Sequence, residues 1–507
     1  MTLVGTSLAE NGPNALQEID FSGTRISEKA IRAISLSVVV KEFGLRSWKM
    51  SKCELSAKGI ATLFREGFLP SPEVTLSLEE LDISENKIDE EASLLLQVWI
   101  SKIGKRGNLR VLNIAKTSAV LGLILPALES LVYLEELNIS HSQLDLDSAQ
   151  VLAKIIGLSS CFKTIDVSHC GLAPSCLSVL LAAVVKNPNL QGCKLKFAGN
   201  SLDDTSINLM IGAFTPSRCL HTLDLSHLKL GEAGMLNLFN VIVGSAPTLK
   251  SLVLIDFFSS ISGHIQGARI GHALADLILQ IPQLDKLDIS LSKHGMFSST
   301  GPSHVLLPFI QRMQRNETLL ELVMVGNRLA DQLAVNLAEM LRCNTTLISL
   351  DVDDNKITLT GFQALEYAMQ RNRTLQRFVY PTMDVSRCVK SGMSTEKLSV
   401  LFGILSNIQL AVNLNQSNGE HSYLKSDDYN PPQAGHVLVY DSQQAPAPPV
   451  PTRTEQHQPM QTEQPQQYEN SNSWGDASQS QTQYEDYSYN NSGYDGNYSG
   501  YEEQPAP

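Results

Sequence analysis

Three kinds of pattern are missing from this 507-residue chain, and each absence closes off a class of function. No two cysteines have CxxC spacing. The eight stand singly, with Cys170 and Cys176 nearest each other beside His169. Reduced, buried thiols of a cytosolic protein are the expectation, with a zinc site or a disulfide frame as the alternative. No apolar run reaches the ~18 residues that mark a membrane span. The opening stretch MTLVGTSLAENGPNA has neither a basic start nor a sustained apolar centre, so it does not read as a signal peptide. No GxxxxGK[ST], HExxH or GxSxG motif occurs, so no catalytic residue, metal or cofactor is assigned.

Positive charge is scarce in one region only. The chain carries 39 Lys+Arg against 52 Asp+Glu, a net −13. From Gln416 onward stand 13 acidic residues but only two basic ones, Lys425 and Arg453, so this stretch holds −11 and the rest about −2. Ten of the 13 tyrosines lie there as well. A near-neutral body with an acidic, tyrosine-rich extension offers no broad basic field to nucleic acid.

What is abundant is one repeat. LEELDISENKI at Leu78 returns as LEELNISHSQL at Leu134, LHTLDLSHLKL at Leu220, LLELVMVGNRL at Leu319 and LISLDVDDNKI at Leu347. Weaker copies begin at Leu16, Leu45, Leu109, Phe162, Leu190, Leu249 and Leu284, with a degenerate last one at Leu375. This is the leucine-rich repeat template, in which LxxLxL forms a short strand. Asn86, Asn200, Asn327 and Asn355 occupy the turn where an amide can bond neighbouring coils; Thr24, Cys53, Thr117, Ser142 and Cys170 replace it elsewhere. Helical periodicity follows each strand, as in SAQVLAKIIG and DQLAVNLAEMLRCN. Roughly 28 residues per unit, with a full helix, point to the long repeat type.

The expected fold is therefore α/β: a leucine-rich repeat horseshoe of the ribonuclease-inhibitor type, with about 13 repeats. Its expected divisions are a lead-in at 1–15, the solenoid at 16–384, a C-terminal helical cap at 385–415 and a disordered tail at 416–507. The long steps near 255–271 and 294–303 are expected to be rim insertions. Leu398, Leu401, Phe402 and Leu405 recur at helical spacing and predict an amphipathic capping helix, with a dimer-forming helix as the alternative.

Asp82, Asp166, Asp224, Asp288 and Asp351 all fall between the second and third apolar positions of the template. They are expected to face outward from the concave sheet, either as solvated repeat positions or as an acidic strip for a basic partner. Acid–base catalysis needs a pocket that shifts carboxylate pKa values, which an open horseshoe lacks, so the reading is non-enzymatic. His141, His169 and His227 follow strand ends and read as rim surface. Asn138, Asn316, Asn344 and Asn372 head NxS/T sequons, which carry no weight without a secretory route.

The stretch NTTLISLDVDDNKITLTGFQALEYAMQRNRTLQRFVYPTMD (344–384) carries the most specific likeness. With Asn355, Gly361–Gln363, Asn372–Leu375, Pro381, Asp384 and Glu396–Leu398, it resembles the end of the repeat domain of the CARMIL family, linkers of capping protein, the Arp complex and myosin-I. NLQGCKLKFAGNSL at Asn189 is similar to a family segment too. The resemblance covers about residues 10–415. Family members usually carry a pleckstrin-homology-like domain before the repeats, where about 15 residues stand here. They also carry a basic capping-protein-binding segment after the repeats, for which two cations beyond Gln416 provide no counterpart.

In the tail, PPVPTR fits the PxxPx[RK] form of an SH3 ligand. Pro448 and Pro451 would fill two aromatic-lined grooves from a pre-formed polyproline II strand, and Arg453 would enter an acidic specificity pocket. Amoeboid members of the resembled family bind the SH3 domain of myosin-I through such motifs. Tyr468, Tyr484, Tyr494 and Tyr501 precede Asp or Glu, either as phosphorylation sites or as part of a weakly self-associating segment. The expected function is a non-enzymatic, cytoplasmic or cortical scaffold of the actin cytoskeleton with protein partners, among them myosin-I or another SH3 protein. The alternatives are a GTPase-activating protein of the Ran-GAP kind and a generic leucine-rich repeat adaptor or inhibitor.

Overall fold

A computed structural model of the chain describes residues 16–39, 44–200, 219–292 and 302–418, with 202–204, 207, 208 and 211. Each of the thirteen expected repeats supplies one strand. These are β1 (Glu18–Asp20), β2 (Ser47–Lys49), β3 (Glu80–Asp82), β4 (Val111–Asn113), β5 (Glu136–Asn138), β6 (Thr164–Asp166) and β7 (Cys193–Lys196). They continue as β8 (Leu220–Asp224), β9 (Ser251–Val253), β10 (Lys286–Asp288), β11 (Glu321–Val323), β12 (Ser349–Asp351) and β13 (Arg377–Phe378). The strands form one parallel sheet in chain order, the leucine-rich repeat horseshoe that the repeat pattern predicts. Each strand points an apolar residue into the core, and the longer β7 and β8 bury Cys193 and Leu220 as well. Leu81, Leu112, Leu137 and Ile165 sit side by side in register, each nearly or fully buried. The two flanking residues face away from that core and make up the concave surface.

Helices cover the other side. The helix Glu90–Ile103 starts where the Asp89 carboxylate accepts the Ala92 N–H, and it buries Ala92, Leu96, Trp99, Ile100 and Ile103 along one stripe. Two steps are longer than the rest, and the first is not a rim insertion. Phe257, Phe258 and Ile261 are buried, and the helix His264–Gln280 runs for 17 residues, so the extra length thickens the core. Most of the second, 293–301, lies outside the described residues.

Two ladders of asparagine bind coil to coil. In the first, Asn86 Oδ1 accepts the N–H groups of Cys53 and Leu55 in the preceding repeat. Its Nδ2 donates to the carbonyls of Met50, Ile83 and Ser84. Asn200 makes the same pattern against Cys170, Leu172, Val167 and Phe197. Where the amide is replaced, one bond often remains: Cys53 Sγ donates to Phe21 O, Thr117 Oγ1 to Ile114 O and Cys170 Sγ to Ile139 O. The second ladder uses the N-x-T-L segments. Asn344 Nδ2 donates to the carbonyls of Met313 and Asn316, and Asn372 Nδ2 to those of Leu341 and Asn344. Asn316, Asn344 and Asn372 are buried, so these sequons are structural joints.

The C-terminal helix Thr395–Asn418 covers the last coil with Leu401, Ile404, Leu405, Ile408 and Val412. Asn415 continues the second ladder by donating to Asn372 O and Leu375 O, and Asn407 Nδ2 bonds Glu366. Phe402, expected on the packed stripe, is 44% exposed because it lies a quarter-turn round from Leu401. Thr395–Ser417 is long and apolar enough to cross a membrane by length and composition. Its row of buried side chains and its amide bonds tie it to the repeats.

Removing the Asn86 amide leaves the Cys53 and Leu55 N–H groups and the Met50 and Ile83 carbonyls without that partner, while Ser84 O keeps the Lys52 N–H. Asn86→Ala is therefore expected to lower unfolding free energy by roughly 4 kcal/mol in denaturant titrations, against about 1 kcal/mol for Thr117→Ala.

Candidate functional site

The outward residue at the C-terminal end of each strand forms a column across the sheet. From β1 to β12 it reads Asp20, Lys49, Asp82, Asn113, Asn138, Asp166, Lys196, Asp224, Val253, Asp288, Val323 and Asp351. All five expected aspartates lie in it. In each of the five, one carboxylate oxygen accepts the N–H two residues on, from Ser84, Ser168, Ser226, Ser290 or Asp353. Asn113 and Asn138 close the same turn on Ala115 and Ser140. Eight of the twelve positions hold Asp or Asn, and each makes this local bond; Lys49, Lys196, Val253 and Val323 do not.

Beyond that shared turn, the column divides. In the N-terminal half the acids are matched within the face. Lys49 Nζ lies 2.9 Å from Glu80, Asn113 Nδ2 donates to Asp82 at 2.9 Å, and Lys196 Nζ lies 3.3 Å from Asp166. Glu80, Asp82, Asn113, Asp166 and Lys196 surround a shallow cavity of about 230 Å³ that Glu136 and Thr164 also line. In the C-terminal half, Asp224, Asp288 and Asp351 pair with no cation among the described residues. Lys286, beside Asp288, is bound instead to Glu321 at 2.6 Å. Burial pushes the Asp288 and Asp351 carboxyls above the ordinary range, partly offset by the N–H bonds.

The rim carries a second feature that sequence reasoning treated as plain surface. After most strands the chain turns through a left-handed residue, and His141, His169 and His227 hold that place with φ of 59°, 54° and 59°. Their rings stack: His141 and His169 centroids are 4.4 Å apart, and His169 and His227 are 5.6 Å apart. The repeat between the last two has Gly199 at this turn, with φ +66°, and a Cβ there would collide with the His169 ring. His227 Nδ1 meets Asp256 at 3.0 Å, and Asp256 accepts the Ser292 N–H. The common spacing of the three histidines within their repeats was the signal in the sequence.

Among the described residues, no three His, Cys, Asp or Glu side chains converge to hold a metal ion. Burial pushes the Cys170 thiol up to about 11 and the Cys193 thiol up to about 12, away from the thiolate a ligand would have to be. None of the eight cysteines forms a disulfide. The expected tail positions Pro448, Pro451, Arg453, Tyr468, Tyr484, Tyr494 and Tyr501 lie outside the described residues.

Burial holds His141 and His169 below the usual imidazole value of 6.5; Lys116 adds to this at His141, and His141 and His227 add to it at His169. Their contribution to stability is full above 6.5 and is lost as pH falls toward the depressed values. His227 runs the other way: its bond to Asp256 raises it, so its contribution is full below 6.5 and is lost as pH rises through the raised value. Thermal melts at pH 7.5 and 5.5 are expected to show a smaller acid-induced fall for His141→Asn/His169→Asn than for the parent. His227→Asn is expected to show a larger one.

The family model for Leucine Rich repeat matches residues 343–365. The chain is similar to Protein CARMIL of Dictyostelium discoideum, 26% identical over 392 residues, which is 76% of this chain and 36% of CARMIL. It is also similar to capping protein, Arp2/3 and myosin-I linker protein 3 of Homo sapiens, 24% identical over 75% of this chain and 27% of the relative. Rho GTPase-activating protein gacW of Dictyostelium discoideum is 24% identical over 82% of this chain and 34% of the relative. The chain thus spans about a third of the length of these relatives. The repeat body is a CARMIL-like leucine-rich repeat domain.

Proposed function

We propose that this chain is a non-enzymatic protein-binding scaffold of the actin cytoskeleton, acting in the cytoplasm at the cell cortex. The observation that carries the reading is similarity to CARMIL across three quarters of the chain. One arm of the scaffold is the concave face, where Asp224, Asp288 and Asp351 leave negative charge unmatched for a basic protein partner. The other is PPVPTR, with Pro448, Pro451 and Arg453 as the SH3-binding positions and myosin-I as the partner. The name of the human relative, a myosin-I linker, supports that choice of partner. Phosphorylation at Tyr468, Tyr484, Tyr494 or Tyr501 would add charge to the second arm.

A second reading has its own observation, the similarity to a protein named as a Rho GTPase activator. In it the horseshoe would hold a GTPase. Two assays separate the readings. The full chain is expected to capture a myosin-I SH3 domain, and Pro451→Ala with Arg453→Glu is expected to abolish capture; equal capture by the double variant would make the motif a spacer. GTP hydrolysis by Rho and Ran GTPases is expected to be unchanged by the chain, and a concentration-dependent acceleration would favour the second reading.

A further inference from the structure

The unmatched half of the concave face has a regular order. Register places Asp224 beside Val253, Val253 beside Asp288, Asp288 beside Val323, and Val323 beside Asp351. Acid and valine alternate strictly over β8 to β12. Two residues further along each strand, polar and apolar residues alternate in the same order: Ser226, which is buried, then Ile255, Ser290, Val325 and Asp353. The two apolar rungs, Val253 with Ile255 and Val323 with Val325, are half-buried and still open to the face. They are held firmly, because Ser226 Oγ accepts the Ile255 N–H and Ser290 Oγ accepts the Val325 N–H, both at 3.0 Å. The remaining charges on these strands, Lys286 and Glu321, neutralise each other.

This order has a length scale. Neighbouring strands lie about 4.8 Å apart, so successive aspartates are about 9.6 Å apart with an apolar rung midway. An α-helix lying across the strands repeats a face every seven residues, about 10.5 Å, and offers an intermediate contact at three or four residues, about 5 Å. The misfit of roughly 1 Å per period is within reach of flexible Lys and Arg side chains. An extended strand fits worse, since residues three apart point to opposite faces. The chain's own tail cannot supply such a row of cations, because Lys425 and Arg453 are its only two and stand 28 positions apart.

We infer that the concave face from β8 to β12 is a docking site for an amphipathic basic helix of a partner protein, with Lys or Arg at i, i+7 and i+14 over Asp224, Asp288 and Asp351, and apolar residues between them over the two valine rungs. The inference rests on the proposed role of the concave face and specifies the chemistry of its partner. The raised carboxyls of Asp288 and Asp351 agree with it: a seated cation would offset the cost of holding charge in a half-buried site.

The test uses the full chain and two labelled peptides of identical composition, read by fluorescence anisotropy. One carries Lys at i, i+7 and i+14 with Leu at i+3, i+4, i+10 and i+11; the other redistributes the same residues at random. The ordered peptide is expected to bind at least tenfold more tightly, and Asp288→Asn/Asp351→Asn to weaken it at least tenfold without lowering the thermal midpoint. The fold is expected to tolerate these changes because Asn113 and Asn138 already close the same turn. Equal binding of both peptides would overturn the helical register while leaving an acidic docking face in place. Failure of the ordered peptide to bind, or indifference to the double variant, would overturn the site itself; capture of partners by the intact chain, assayed separately, would still decide the scaffold reading.

Discussion

Everything in this molecule depends on carrying backbone hydrogen bonds from one coil to the next at the turns, where neither helix nor sheet can supply a partner. A coil that leaves its sheet and enters its helix turns sharply and points N–H and C=O groups into the stack. Buried and unpaired, each would cost about 1–3 kcal/mol. Asparagine answers both kinds of group with one side chain, and Asn86 engages five of them across two repeats. At the end of the stack Asp384 takes a related part, accepting the N–H groups of Asn355 and Lys356. Burial pushes that carboxyl up to about 6. Asn415 then closes the second ladder from the capping helix. The stack ends by the same chemistry that propagates it.

The strand positions were legible because LxxLxL is a local pattern with a repeating offset, and all thirteen starting points coincide with strands. Helix existence was legible for the same reason. The second ladder was not. Asn344 and Asn372 look like glycosylation sequons or surface polar residues until the preceding coil is placed beneath them, and their bonded carbonyls lie about 30 residues away. Phe402 was misplaced because an apolar neighbour at i+1 of Leu401 counts as periodic in a short window but lies on another side of a long helix.

The aspartate column shows the same limit in a sharper form. Its existence was readable from the template, but whether each acid is matched was not. Asp166 meets Lys196 and Asp82 meets Asn113 only because parallel register sets residues about 30 apart side by side. Two functions share one residue type at this position: the turn needs an acceptor, which Asn supplies equally well, and only a second requirement explains charge. In β4 and β5 the turn is made by Asn. In β8, β10 and β12 it is made by Asp that forms no ion pair among the described residues, although Lys196, Lys286 and Arg377 lie on the same or the next strand, and there charge exceeds what the turn asks for.

That excess has a fixed spacing because of the ladders. A repeat array is quasi-one-dimensional, so each coil is positioned by its neighbours alone, and a pattern written once per repeat is laid out along the sheet at the strand interval. Alternating two residue types over consecutive repeats doubles that interval to about 9.6 Å, close to the seven-residue period of a helix. Lengthening the repeat from Leu249 leaves this spacing intact because Phe257, Phe258 and Ile261 take added residues into the core behind the strands. The concave face can thus keep a regular order while the convex side varies, and the order is found in the part of the sheet where the repeats are longest.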